Sequence, residues 1–201
     1  MFAPRMIEAD GNDRPCLMEG GSSEPPREPF TFIIPTRGPR TMDADTYPAR
    51  GQPHRLDREQ YRQQWRAVGF TLCATQGRSL VSLRGAPATI KNNLRAAARD
   101  NGCAVIAYCI MPNHLHLLAC VVTEGGDLLD FMDHFKRRSG FELGRLGEPG
   151  PVWQRDFWDR HMRSDEHLDE AVAYIMDNPV RAGLCEHADD WRHSEFCGFP
   201  R

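Results

Sequence analysis

Residues 103–122 read CAVIAYCIMPNHLHLLACVV and form the longest apolar region of the chain. Two apolar runs of strand length, residues 103–111 and 114–122, lie on either side of the dipeptide Pro112–Asn113. Short apolar runs bounded by turn residues are typical of buried strands, and proline and asparagine are typical turn residues. The stretch therefore predicts two neighbouring strands joined by a tight connection.

Regular patterns continue on both sides of this strand pair. They predict a strand at residues 67–74 and helices at residues 86–100, 127–141 and 165–178. The last helix is expected to end at Asn178, because Pro179 has no N–H to continue the helical hydrogen bonds. The order β-α-β-β-α-(β)-α favours an α+β or α/β sandwich in which helices cover a sheet.

The N-terminal part of the chain differs in composition from the rest. Its first 50 residues hold 8 of the 15 prolines, a Gly-Gly-Ser-Ser run at 20–23 and no sustained helical or strand period. Such a segment buries too little apolar surface to offset the entropy lost on ordering. The sequence therefore predicts a disordered extension over residues 1–52 and one folded domain over residues 53–201.

Composition excludes several classes of protein. The chain has 201 residues and a formal charge of −3, so any surface that binds nucleic acid must be local. No apolar run approaches the ~20 residues of a membrane span, and no signal-peptide pattern is present at the N-terminus. The seven cysteines are scattered without a C-x-x-C pair, which argues against a disulfide framework or a zinc ribbon. These features predict a cytoplasmic protein that does not associate with membranes.

Two histidines, His114 and His116, lie at the start of the second predicted strand in residues 103–122. Residues i and i+2 of a strand point to the same face, so both imidazoles can converge on one ion. Two histidines leave a divalent ion short of ligands, so a third ligand must come from elsewhere. The spacing alone favours the alternative interpretation, an ordinary pair of surface histidines at a strand end.

A second candidate pair, Tyr174 and Asn178, lies on the last predicted helix. The i, i+4 spacing places a phenol and an amide on one helix face. The spacing alone favours the alternative interpretation, in which Tyr174 is a boundary aromatic residue and Asn178 only ends the helix before Pro179.

Aromatic and basic residues alternate in residues 152–163 (VWQRDFWDRHMR). Aromatic rings that stack on bases, beside arginines that contact phosphates, form a typical surface for single-stranded nucleic acid. The alternative is that the aromatic rings belong to the core and the arginines are its solvated edge. Together with a basic run at the end of a helix, this segment supplies six candidate contacts to single-stranded nucleic acid: Trp153, Arg155, Trp158, Lys136, Arg137 and Arg138.

Four segments in order, YCIMPNHLHLL (108–118), FMDHFKRR (131–138), VWQRDFWDR (152–160) and YIMDNPVRAGL (174–184), resemble the single-tyrosine HUH transposases. Within these transposases, the segments resemble the branch of REP-associated tyrosine transposases, which are relatives of the insertion sequence 200 group. The resemblance covers roughly residues 67–195. Relatives often carry tyrosine after the KRR run, where this chain has Ser139.

The resemblance implies a ferredoxin-like α+β domain with an antiparallel sheet that cleaves and rejoins single-stranded, hairpin-associated DNA. It implies that His114 and His116 bind Mg²⁺ or Mn²⁺, with Asn178 as the third ligand. It also implies that Tyr174 is the nucleophile and forms a 5′-phosphotyrosine intermediate. Related enzymes act as monomers or homodimers, and the sequence leaves open whether the histidines and the tyrosine of one site share a chain.

Two other functions remain compatible with the sequence. A domesticated DNA-binding protein would keep the fold without cleavage, although the presence of both histidines, the tyrosine and the asparagine argues against a decayed site. An unrelated metal-dependent phosphohydrolase would hydrolyse small phosphodiesters and would form no covalent adduct with DNA.

Overall fold

The computed structural model describes residues 56–75, 78–147, 150–161 and 165–200. The predicted disordered extension, residues 1–52, lies outside these ranges. In the described part of the chain, no helix has the length and apolar character needed to span a membrane.

The sheet is antiparallel throughout, and its strand order is β4-β1-β3-β2-β5. Three helices pack on it, so the fold is of the α+β class, as the resemblance implied. The elements are β1 (Ala67–Cys73), α1 (Ala86–Asp100), β2 (Cys103–Ile110), β3 (His114–Val121), α2 (Leu128–Arg145), β4 (Trp158–His161), α3 (Asp165–Arg181) and β5 (Ser194–Phe196). Short 3-10 turns lie at Arg58–Arg62 and Ala188–Asp190.

The two faces of the sheet carry two separate apolar clusters. Leu115 and Leu117 of β3 pack with residues of α1 and α2, including Phe131. Leu118 and Cys120 pack in a different cluster with Val172 and Ile175 of α3. Because side chains alternate along a strand, His114 and His116 share the face of Leu118 and therefore the α3 side of the sheet.

Most predicted elements are confirmed to within a few residues. The helix at 86–100 is confirmed at both ends, and β2 and β3 each end one residue earlier than predicted. Helix α2 continues four residues beyond the predicted end at residue 141, to Arg145. Strand β5 was not predicted, because it has only three residues and pairs with β2 at the sheet edge.

The expected end of α3 at Asn178 was wrong. The helix continues through Pro179 to Arg181, and the turn after the proline remains hydrogen bonded. Ala182 N–H donates to Asn178 O at 3.0 Å, and Leu184 N–H donates to Pro179 O at 2.9 Å. Proline removes its own N–H bond, and its ring crowds the carbonyl four residues earlier. Pro179 is buried, so packing stabilises a turn that local preference disfavours.

Candidate active site

The structure brings the two predicted histidines into direct contact at the start of β3. Their Nε2 atoms lie 3.0 Å apart, and the ring planes are inclined at 86°. The register places Thr71 of β1 opposite His116 and Cys73 opposite His114. Both imidazoles therefore direct the same atom toward one point at this end of the sheet.

The other ring nitrogen of each histidine has a fixed hydrogen-bond partner. His114 Nδ1 lies 2.7 Å from Asn113 Oδ1, and His116 Nδ1 lies 3.0 Å from Thr71 Oγ1. An amide oxygen only accepts, so the proton of His114 is on Nδ1 and its Nε2 carries a lone pair. His116 Nε2–H therefore donates to His114 Nε2, and His116 Nδ1 accepts from the Thr71 hydroxyl. Binding of a metal ion at Nε2 would require the other tautomer of His116, in which Nδ1–H donates to Thr71 Oγ1.

Burial keeps both imidazoles neutral at physiological pH. Desolvation lowers the pKa of His114 to about 4. Desolvation, with smaller contributions from His114 and Arg181, lowers the pKa of His116 to about 3. Neutral imidazole is the form that binds a metal ion.

Tyr174 of α3 lies against this pair. Its ring centroid is 6.0 Å from that of His116, with planes at 78°, and the tyrosine side chain is 39% exposed. Asn178, one turn later, donates from Nδ2 to Tyr174 O at 2.7 Å. In the described part of the chain Asn178 Oδ1 accepts no hydrogen bond, so this oxygen is available to a ligand. In this arrangement His114, His116 and Tyr174 belong to the same chain.

Two further residues at the site, Thr71 and Arg181, were missed by the sequence analysis. The Arg181 Cζ atom lies 4.6 Å from the centroid of the Tyr174 ring. The i, i+7 spacing from Tyr174 is a signal for a shared helix face, but the expected helix end at Asn178 concealed it. Thr71 could be found only from the pairing of β1 with β3, which no local pattern reveals.

The donor set at this point fits a divalent cation. The 3.0 Å contact between the two Nε2 atoms is a hydrogen bond, and its length is close to the separation of about 3 Å expected for two ring nitrogens bound to one ion at about 2.1 Å and at a right angle. The neighbouring Cys109 thiol, opposite His116 on β2, stays protonated because burial raises its pKa to about 12. No cluster of three or more His, Cys, Asp or Glu side chains with metal-binding geometry occurs among the described residues. A third protein ligand would therefore be of another type, such as the amide oxygen of Asn178.

Four of the predicted DNA contacts line one groove of about 430 Å³ between α2 and the segment before β4: Lys136, Arg137, Trp153 and Arg155. The groove lies on the α2 side of the sheet, whereas the histidine pair lies on the α3 side. The groove and the histidine pair nevertheless lie near the same end of the sheet. Ala74, directly after β1, forms a β-bridge with Trp153, and the Ala74 N–H donates to Asn113 O. Arg138 is directed to Glu142, 3.4 Å away on the same helix.

Trp153 occupies a different environment from the one predicted. Its side chain is only 6% exposed, its ring packs on Phe135, and its Nε1–H donates to Ser139 Oγ at 2.9 Å. Ser139 in turn donates to Phe135 O at 2.6 Å. The structure therefore gives Trp153 a role in the core, and a base cannot stack on its ring without displacing α2.

Trp158 lies in the same row of directly paired residues across the strands as His116. The register pairs Trp158 of β4 with Thr71 of β1, and Thr71 with His116 of β3. Residues directly opposite each other in an antiparallel pair project on the same face. The half-buried Trp158 side chain therefore lies on the α3 face, two strands or roughly 10 Å from His116.

Comparison with known proteins is consistent with this geometry. The chain is 30% identical over 102 residues to a REP-associated tyrosine transposase of Haemophilus influenzae, and 30% identical over 100 residues to one of Escherichia coli. These matches cover 45% and 49% of this chain and 57% of each relative, so the chain spans little more than half the length of the relatives it matches.

A solved structure supports the fold. It is that of a REP-associated tyrosine transposase bound to a REP hairpin, with a TM-score of 0.59 and 23% identity, over 68% of this chain and 79% of that chain. The profile of the family described as IS200-like transposases matches residues 70–178, which is more than half of the 201 residues. The matched span includes His114, His116, Tyr174 and Asn178, and the chain belongs to the IS200-like transposase family.

Proposed function

We propose that this chain cleaves and rejoins single-stranded DNA with the Tyr174 phenol as nucleophile. The observation that carries the proposal is the contact of the Tyr174 ring with His116, 6.0 Å between centroids, beside two Nε2 atoms 3.0 Å apart. A phenol beside a site for a divalent cation is the arrangement needed to attack a phosphodiester. The exposed fraction of Tyr174 gives DNA access to the phenol from solvent.

The reaction conserves the number of phosphoester bonds. The Tyr174 oxygen forms a bond to phosphorus, the bond from phosphorus to the 3′ oxygen breaks, and the phenolic proton is balanced by the proton gained by the 3′ oxygen. The products are a 5′-phosphotyrosine and a free 3′-hydroxyl. Because the covalent intermediate retains the ester bond, a 3′-hydroxyl can later attack it and rejoin the DNA without ATP.

His114, His116 and Asn178 would hold Mg²⁺ or Mn²⁺, which supplies positive charge that offsets the charge of the phosphate oxygens. Asn113 and Thr71 fix the imidazole rings through their Nδ1 atoms, so that both Nε2 atoms stay directed at one point. Imidazole ligands suit Mn²⁺ better than the harder Mg²⁺, so we expect tighter binding of Mn²⁺ in vitro.

The DNA partner that we propose is a hairpin with an adjoining single strand. The solved relative was bound to a REP hairpin. In this chain, Arg137 and Arg155 on the groove offer cationic side chains near the sheet end that carries the histidines. Trp158 lies on the face of the histidines and could stack on an unpaired base.

A denaturing gel tests the proposed function. The chain is incubated with labelled hairpin-bearing single-stranded DNA from beside its own gene, with Mn²⁺, and compared with Tyr174→Phe. We expect an SDS-stable labelled band that is lost in Tyr174→Phe and retained in Tyr108→Phe. Tyr108 is a suitable control because its hydroxyl donates to Glu195 at 2.8 Å on the edge of the sheet, away from the histidines.

The other outcomes separate the alternatives. A shift on a native gel without any covalent band would favour the catalytically inactive DNA-binding protein. Turnover of a small phosphodiester without a covalent band would favour a phosphohydrolase. A covalent band that persists in Tyr174→Phe would assign the nucleophile to another residue.

A further inference from the structure

The end of α3 carries a cation that the proposed reaction has not yet used. Arg181 follows Tyr174 by seven residues, so the two side chains share a helix face across two turns. The guanidinium lies over the tyrosine ring, with Cζ 4.6 Å from the ring centroid. The Tyr174 ring is therefore in contact with the imidazole of His116 and the guanidinium of Arg181.

Among the described residues, no carboxylate is paired with the guanidinium of Arg181. In the described part of the chain, none of the ion pairs includes Arg181, and its side chain is exposed to solvent. Arg95, by contrast, lies 2.7 Å from Glu195, and Arg138 lies 3.4 Å from Glu142. Some exposed arginines of the described residues, such as Arg137 and Arg155, are also in no ion pair, but Arg181 lies against the ring of Tyr174.

We infer that Arg181 binds the phosphate that Tyr174 attacks. This inference rests on the proposed function and adds a substrate contact to it. A guanidinium donates two parallel N–H bonds to the non-bridging oxygens of a phosphate, and it can do so while its plane stacks on an aromatic ring. Arg181 thus holds the scissile phosphate beside the phenol and keeps the ring of the nucleophile in a fixed orientation.

A methylphosphonate, which lacks the negative charge of a phosphate, tests whether Arg181 contacts the scissile phosphate. The oligonucleotide is the hairpin DNA on which the wild-type chain forms the adduct, either unmodified or with a methylphosphonate at the bond that is cleaved. Affinities are measured in EDTA with chains that carry Tyr174→Phe, so that neither cleavage nor a metal ion contributes. Arg181→Gln is compared with Arg99→Gln, which removes the same charge from a 77% exposed side chain on α1.

We expect Arg181→Gln to weaken binding of the unmodified DNA about tenfold or more, and to have little effect on the methylphosphonate DNA. Arg99→Gln should change both affinities equally and slightly. In the chain with Tyr174, Arg181→Gln should slow adduct formation by about 10²- to 10³-fold, and Arg181→Lys should slow it less. Thermal unfolding of each variant shows that the fold is retained.

Two results would overturn the inference. If Arg181→Gln weakened both DNAs equally, the arginine would not contact the scissile phosphate. If Arg181→Gln and Arg99→Gln formed the adduct at equal rates, Arg181 would have no part in the reaction, although the proposed function would stand. A wild-type chain that forms no adduct on any hairpin would instead overturn the proposed function itself.

Discussion

The imidazole of His116 and the phenol of Tyr174 meet edge to face, with ring centroids 6.0 Å apart and planes at 78°. The first residue lies on β3 and the second on α3, and both belong to one compact unit of the same chain. Val172 and Ile175 anchor α3 to the sheet from positions next to Tyr174 in the helix. The packing of α3 on the sheet therefore sets the distance between the proposed nucleophile and the histidine pair.

Mixing two inactive variants tests whether one chain forms a complete site. Tyr174→Phe keeps the histidines, and His116→Ala keeps the tyrosine. Because His116 and Tyr174 meet within one chain, we expect each variant to lack adduct formation and an equimolar mixture to lack it as well. The readout is the covalent band on a denaturing gel, with the wild-type chain diluted by an equal amount of Tyr174→Phe as control. Restored adduct in the mixture would show that α3 pairs with the sheet of a second copy.

Thr71→Val tests the support of His116 from the neighbouring strand. Valine has the shape of threonine without the hydroxyl, so His116 Nδ1 loses its partner at 3.0 Å while the packing is largely kept. We expect Mn²⁺ affinity, measured by calorimetry, to fall about 10- to 100-fold, because an imidazole without its second hydrogen bond is poorly oriented. Thr71→Ser should recover most of the affinity. Equal affinities for the valine variant and the wild type would show that β3 alone orients the ring.

The histidine pair should also appear in the pH dependence of stability. The pKa of His114 is lowered to about 4 and that of His116 to about 3, from the usual value near 6.5. Between these values the unfolded chain binds more protons than the folded chain, so the free energy of unfolding falls as pH falls from about 6.5 towards 4. The slope contributed near pH 5 is about 1 kcal/mol per pH unit for each histidine.

Urea unfolding in metal-free buffer measures this slope. The double variant His114→Gln/His116→Gln should lose less stability than the wild type between pH 6.5 and pH 4. His187→Gln, outside the candidate site, serves as a control for the loss of one imidazole. Parallel curves for the wild type and the double variant would contradict the burial of neutral imidazoles.

The sequence predicts the fold well because its strongest signals are local. Apolar runs, helical spacing and the turn at Pro112–Asn113 each lie within one element, and β2, β3 and α1 are confirmed closely. The alternation of side chains along a strand is enough to predict that His114 and His116 project from the same face of the sheet. Tyr174 and Asn178 were assigned through the family resemblance, and only the packing of α3 shows that the tyrosine reaches His116.

Residues that depend on contacts between elements were harder to predict. Thr71 supports His116 through strand pairing, and Arg181 reaches Tyr174 because α3 is stabilised past Pro179 by burial. Trp153 was predicted to stack on a base because arginines follow it closely in the sequence, beginning with Arg155. In the structure the hydroxyl of Ser139 accepts its indole N–H, and the ring belongs to the core. A pattern of aromatic and basic residues cannot distinguish these two environments.

Trp158 differs from Trp153 in its expected effect on DNA binding. Trp158 lies in the cross-strand row of Thr71 and His116, on the face of the candidate active site. We expect Trp158→Ala to weaken binding of the single-stranded hairpin DNA by about 1–3 kcal/mol, the value for one lost stacking contact. Trp65→Ala is the matched control, because this 55% exposed tryptophan precedes β1 at the opposite end of the strand. Equal losses of affinity in a filter-binding titration would count against stacking at Trp158.

The hydrogen bond between Trp153 and Ser139 predicts non-additive effects on stability. Ser139→Ala leaves the buried indole N–H without its partner, which costs about 1–3 kcal/mol of unfolding free energy. Trp153→Phe removes the donor and some packing volume, but Ser139 keeps its bond to Phe135 O. The double variant should therefore be more stable than the sum of the two single losses predicts, by about 1 kcal/mol. Chemical denaturation of the four proteins measures this coupling, and losses that add within the error would place the indole N–H in contact with water rather than with Ser139.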